Sequence, residues 1–302
     1  MERIKPKNYN FLEKFSYYQP GIGGMFALLG MLLLGSLVAN VIAVPLVGVF
    51  GGINEMGNAL LYVQFISYPL MFIPPMLFAA AQSRNNSFNK TGSRLDNNHF
   101  QPLGLALCAV LVVLGTLAVS YCGDALTEQL PEMPAFLEEA LKSLTTGDNL
   151  VINFIMVSIF APFFEEWLCR GMVLRGLLAN KMKPVWAIVV SAVFFGFIHF
   201  NPWQAIPAFL IGLLLGYVYY KTGSLKLTML MHFANNTMAL VMSNQNGLED
   251  VEGWGDILTG PQYWIIFAGC VLLTALIVLA FKRIQLERPE GNIDPVKPLF
   301  EE

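Results

Sequence analysis

Apolar residues run through this chain in long blocks, and polar residues gather in the gaps between them. Eight apolar segments can be drawn: 22–50, 59–82, 102–122, 150–178, 184–200, 203–220, 225–243 and 261–281. Blocks near 20 residues match helices that cross a hydrocarbon layer ~30 Å thick. The first block can span with tilt or bend at Pro45. Pro69, Pro74 and Pro75 predict a break near the end of the second. The sixth contains Pro207, and its Gly212 and Gly216 are four apart, a spacing that suits close helix packing. Between the third and fourth blocks, "PAFLEEALKSL" sets Phe136, Leu137, Ala140, Leu141 and Leu144 at helical spacing. This predicts a short amphipathic helix on the outer face, lying in the interface or packed on the bundle. The tail 284–302 holds three prolines and little apolar content, and is expected to be flexible. There is no internal repeat and no second soluble domain.

Composition and charge sharpen this pattern. Of 302 residues, 55% are hydrophobic and only 13% charged, about half the ~25% usual for soluble domains. Mean hydropathy is +0.56. A net charge of -3 without a basic stripe excludes nucleic acid as a partner; the partner that the hydropathy implies is the lipid bilayer. The first twenty residues are polar, too long and mixed for a cleavable signal, so the first apolar block is expected to stay as an anchor.

Basic residues then set orientation. Arg3, Lys5, Lys7 and Lys14 precede the first block; Arg84, Lys90 and Arg94 follow the second. Arg175, Lys181 and Lys183 lie after the fourth, Lys221 and Lys226 between the sixth and seventh, and Lys282, Arg283, Arg288 and Lys297 after the eighth. The opposite loops, 123–149 and 244–260, are acidic and hold only Lys142. By the positive-inside rule the fold class is an all-α, polytopic transmembrane bundle of about eight spans with both termini cytoplasmic. Cys108, Cys122, Cys169 and Cys270 show no metal-type spacing and read as buried apolar thiols.

Ionisable groups inside spans are rare and mark functional sites. Here they concentrate in the second half: Glu165, Glu166 and Arg170 in the fourth block, His199 closing the fifth, and His232, Asn235 and Asn236 in the seventh. The remaining histidine, His99, sits in a polar loop and is expected to be solvated. Glu166 and Arg170 are four apart and can pair on one helix face as a structural ion pair. Glu165 lies about 100° round the helix and is left as the free carboxylate. His232 and Asn236 are also four apart and can point at one spot. At about 1.5 Å per residue, Glu165 and His199 come to similar depths, compatible with one pocket. A Glu–His pair can take a proton from water and later deliver it to a leaving amine. A His N–H and an Asn amide can donate to a developing oxyanion. That set suits peptide hydrolysis by direct attack of water. Cys169 lies one turn beyond Glu165, but a cysteine deep in an apolar helix is usually inert. A Glu with two His also suits zinc, although no H-E-x-x-H is present. A proton-coupled transporter would hold buried Glu and His as well, more often with repeats.

Three segments together resemble the CPBP family of CAAX prenyl proteases, bacteriocin-processing and immunity proteins, also called Abi. The E-E-x-x-x-R pattern is Glu165 to Arg170, F-x-x-x-H is Phe195 to His199, and H-x-x-x-N is His232 to Asn236. The run "GLLLGYVYYKTGSLKLTMLMHFANN", Gly212 to Asn236, looks like the family's approach to its last motif. The resemblance covers residues 150–243. It implies an intramembrane glutamate-dependent endopeptidase, with Glu165 and His199 activating water and His232 with Asn236 donating to the oxyanion. It implies no essential metal or other cofactor, and a bacterial cytoplasmic membrane as location. The substrate it implies is a peptide or protein, lipidated in the CAAX-type relatives. Nothing in the sequence sets an oligomeric state. The expected division is 1–149 as an N-terminal transmembrane region of three spans plus the outer helix, 150–243 as the catalytic helical core, and 244–302 as the last span and tail. A non-catalytic immunity or scaffolding protein and a metal-dependent membrane peptidase stay open.

Overall fold

The computed structural model describes residues 11–50, 56–138, 141, 149–245, 254–258, 260–284 and 295–296. These residues form an all-helical bundle apart from a two-residue antiparallel bridge, Gly92–Ser93 with Pro295–Val296. The longer helices are α1 (Ile22–Phe50), α2 (Met56–Met71), α3 (Ile73–Asn86), α4 (Leu105–Thr127), α5 (Leu150–Ala179), α6 (Pro184–Phe197), α7 (Pro202–Thr222), α8 (Leu225–Ser243) and α9 (Pro261–Lys282).

The proline-rich second block breaks as expected. Phe72 separates α2 from α3, and Pro74 opens the new helix, where a missing N–H costs nothing. Among the described residues, six segments are long and apolar enough to cross a membrane: Ile22–Leu46, Leu61–Asn86, α4, α5, α7 and α9. Against the expected count of eight stand these six candidates. With 14 residues, α6 is well short of the ~20 needed to cross, while α8 carries His232, Asn235 and Asn236 and falls outside the apolar set. The outer amphipathic helix is described only at 135–138 and 141, where Leu137 and Glu138 N–H groups bond Pro134 O. The rest of it, and most of the tail expected to be flexible, lie outside the described residues.

The largest departure from regular geometry is in α5. It alternates α turns (Leu150–Asn153, Ala161–Glu166, Arg175–Ala179) with two wide π segments, Phe154–Phe160 and Trp167–Leu174. Pro162 explains the first: it cannot donate to Ser158 O, and its ring crowds that carbonyl, so the turn opens. Such wide turns often mark functional sites. In the second, Ser191 Oγ of α6 donates to Cys169 O at 2.9 Å.

Packing fixes α5 centrally. One core gathers Trp167, Leu168, Met172 and Leu174 with Phe72, Phe195 and Tyr219; another joins α4, α7 and α9 through Val112, Leu215, Ile277 and Phe281. A Cβ on Gly212 would stand 3.2 Å from Ala192 Cα, and one on Gly216 would stand 3.1 Å from Ile188 Cγ2. The four-residue glycine spacing is therefore the surface on which α6 and α7 meet.

Arg175 departs from its expected place among cytoplasmic loop charges. It is buried in the last turn of α5 and donates to Gly171 O, Phe15 O, Ser16 O, Tyr18 O, Ser93 O and Ser93 Oγ at 2.5–3.2 Å. A guanidinium has five N–H donors, and here they draw the N-terminal segment and the 92–93 bridge onto one helix end. His99 is half-buried, and its backbone N–H bonds Thr222 O, which holds its loop against the end of α7.

Candidate active site

Glu166 and Arg170 sit in the middle of α5 and are fully buried, with Arg170 Nη1 2.7 Å from Glu166 Oε1. Burying two charges is tolerable only when each finds close partners. Arg170 Nη2 also donates to Gly212 O at 3.1 Å, and its guanidinium lies over the Phe195 ring at 4.4 Å. Glycine at 212 matters here too, because a Cβ would approach Arg170 Nη2 to 3.3 Å.

The pair does more than neutralise itself. His232 Nδ1 is 3.1 Å from the same Glu166 Oε1. A carboxylate can only accept, so Nδ1 carries the proton and Nε2 is turned the other way. His232 Nε2 then faces Glu165 Oε2 at 3.9 Å. That gap is too long for a hydrogen bond, and Oε2 is buried there without a partner. A neutral His232 presents an acceptor on Nε2; donation from Nε2 requires the imidazolium.

Glu165 is not alone, although it has no partner in its own helix. Tyr68 of α2 donates its O–H to Glu165 Oε1 at 2.5 Å. Oε2 receives no hydrogen bond. The side chain of Glu165 keeps 12% of its surface exposed against none for Glu166. Oε2 of each glutamate is buried without a hydrogen-bond partner. The two differ in their surroundings: Glu166 Oε1 is held by Arg170 and His232, whereas Glu165 Oε2 lies before His232 Nε2.

His199 lies in the turn just past α6, not within it. Its Nδ1 is 2.8 Å from Phe195 O, so the ring caps the helix end and carries its proton on Nδ1. Its Nε2 is the free acceptor. Among the described residues the contacts of Glu165 are to Tyr68 and His232, and none is to His199. The Phe195 ring links the two histidines, edge-on to His199 at 5.1 Å and to His232 at 5.4 Å between centroids. The F-x-x-x-H spacing thus has a physical content: one residue supplies the carbonyl, the ring contact to both imidazoles and the face for Arg170.

Asn236 donates from Nδ2 to Val157 O at 2.8 Å, within the first wide turn of α5. Its Oδ1 accepts from Asn235 Nδ2 at 3.1 Å. The second hydrogen on Nδ2 is still available to a ligand. Cys169 is a fully buried free thiol in the second wide turn. Among the described residues no three His, Cys, Asp or Glu side chains form a group that could hold a metal ion.

Tyr68 is the site residue that sequence reasoning missed. Its signal was a phenol in an apolar block, since a buried tyrosine O–H needs an acceptor. Nothing in the sequence said which.

Residues 147–238 match the family model described as "Type II CAAX prenyl endopeptidase Rce1-like". The match includes Glu165, Glu166, Arg170, Phe195, His199, His232 and Asn236, and leaves Tyr68 outside. No curated protein and no solved structure matches the chain.

Proposed function

With residues 147–238 forming a domain of the Rce1-like CAAX endopeptidase family, a family of proteases, we propose that this multi-pass membrane protein hydrolyses a peptide bond in a membrane-associated or lipidated peptide, using water activated at Glu165. One observation carries this most: a carboxylate oxygen without a hydrogen bond, Oε2 of Glu165, faces His232 Nε2 across 3.9 Å inside a largely buried site.

In the proposed reaction a water donates one hydrogen toward Glu165 Oε2. As its oxygen bonds the scissile carbonyl carbon, that proton passes to Oε2. His199, with Nε2 free, is the second acceptor that the family resemblance assigns to the water. The carbonyl oxygen becomes an oxyanion; the remaining Asn236 amide hydrogen is a donor to it, and His232 is the second donor that the family resemblance implies. Glu165 then returns the proton to the leaving nitrogen as the C–N bond breaks, giving a carboxylic acid and an amine. No covalent enzyme intermediate is needed. Glu166 and Arg170 hold the His232 ring in this register. The chain lies in a cytoplasmic membrane with both termini inside, as its basic loops indicate, and a C-terminal prenylated Cys-aliphatic-aliphatic-X peptide is the first substrate to try.

The test compares the membrane peptidomes of cells making wild-type protein and Glu165→Gln. Fragments present only with the wild type are expected. Identical peptidomes, with both proteins folded and equally abundant, would contradict the proposal.

A further inference from the structure

We infer that Tyr68, contributed by the N-terminal region outside the matched domain, is a positioning residue that commits Glu165 Oε1 and so designates Oε2 as the basic oxygen. This rests on Glu165 being the general base, and deepens that reading.

A carboxylate has two equivalent oxygens, and the last torsion of a glutamate side chain is broad and roughly two-fold. Left alone, either oxygen could turn toward His232, or the plane could turn edge-on to it. The Tyr68 O–H bond at 2.5 Å removes that freedom. Hydrogen bonds of this charge-assisted kind are the strong ones. With Oε1 engaged, Oε2 is the oxygen held before His232 Nε2.

The hydroxyl is itself fixed. On one side of Tyr68, Phe65 stacks on Phe160 of α5 with centroids 5.6 Å apart; on the other, Phe72 stacks on Phe164 at 4.9 Å. Tyr68 also tilts against Phe72 at 5.7 Å. Phe65 and Tyr68 are three apart on α2, Phe72 follows just past its end, and Phe160 and Phe164 are four apart on α5, which sets these contacts on facing sides. The two stacks bracket Tyr68 and anchor it against the turn of α5 that leads into Glu165. The phenol keeps its proton throughout the cycle; only Oε2 takes and returns one.

The test uses the full chain in lipid nanodiscs with two readouts. Infrared difference spectra between wild type and Glu165→Gln isolate the carboxylate band of Glu165. In Tyr68→Phe, which keeps the ring and its stacks, that band is expected to shift, whereas Ser67→Ala on the same helix leaves it in place. With a quenched fluorescent peptide ending in a prenylated Cys-aliphatic-aliphatic-X sequence, Tyr68→Phe is expected to lower kcat by about 10- to 100-fold, the worth of one hydrogen bond to a charged group. KM and the unfolding temperature should stay near wild type, which a merely structural role would not give. An unshifted band overturns the assignment whether or not any peptide is cut. A shifted band with wild-type kcat overturns it too, while an inactive Glu165→Gln leaves the peptidase reading standing. Full activity in Glu165→Gln would instead remove the peptidase reading, and with it the catalytic meaning of the Tyr68 bond.

Discussion

At Glu166 two partners share one oxygen, Arg170 Nη1 at 2.7 Å and His232 Nδ1 at 3.1 Å. The Arg170 half of this arrangement was legible, because four-residue spacing on a helix admits few other partners. The His232 half was not, since it spans 66 residues and depends on how α8 crosses α5. Arg170→Leu leaves Glu166 a buried charge with a histidine alone to offset it. It is expected to cost about 3–5 kcal/mol, read as a lowered unfolding temperature in detergent. Glu166→Gln should lose stability by the same logic, since Arg170 is then the unmatched charge; an unchanged unfolding temperature in either variant would count against the network. Phe195→Leu tests the aromatic hub differently. It keeps a large apolar side chain but removes the face under Arg170 and the edges of both imidazoles. Turnover is expected to fall by about tenfold, more than the ~1 kcal/mol of a single aromatic contact would give, since two rings lose their support together. Wild-type kcat would argue that the histidines are held by their hydrogen bonds alone.

Helices were legible where apolar blocks and prolines spoke clearly, as at the break between α2 and α3. The internal geometry of α5 was not. Pro162 is a visible cause for its first wide turn, but no residue in Trp167–Leu174 announces the second. His199 was read inside a span and stands beyond a helix end, because Phe200 has a positive φ of 55° and Asn201 caps the next helix through Gln204 N–H. The Gly212–Gly216 pair was read as a packing surface, and its test is steric. Gly212→Leu forces side-chain atoms into Ala192 and Arg170, and overpacking of this kind costs about 1–3 kcal/mol or more. A lowered unfolding temperature and reduced turnover are expected together, because the same glycine carbonyl holds Arg170. Preserved stability would mean that α6 and α7 can part without consequence.

Across the whole molecule, the matched segment 147–238 holds the motif residues, yet the site extends past it. Tyr68 comes from α2 and reaches Glu165 across 97 residues. Arg175 ties the N-terminal segment to the same helix. A fragment starting near residue 147 would lose the Tyr68 bond and the N-terminal partners of Arg175. Orientation was read from charge alone, and it has a direct check. In a background with Cys108, Cys122, Cys169 and Cys270 replaced by alanine or serine, Lys181→Cys is expected to react with an impermeant thiol reagent only from the cytoplasmic side. Glu132→Cys should react only from the other. Labelling of both from the same side would contradict the assigned topology, and an exchange of sides would reverse it.

The central claim is that Glu165 activates water for peptide hydrolysis. It is met most directly by the cleavage rate of purified Glu165→Gln, reconstituted in lipid and compared with wild type on one membrane peptide. The expected result is a loss of at least about 100-fold, the usual contribution of a positioned general base, with an unfolding temperature close to wild type. Cleavage by Glu165→Gln at the wild-type rate would contradict it.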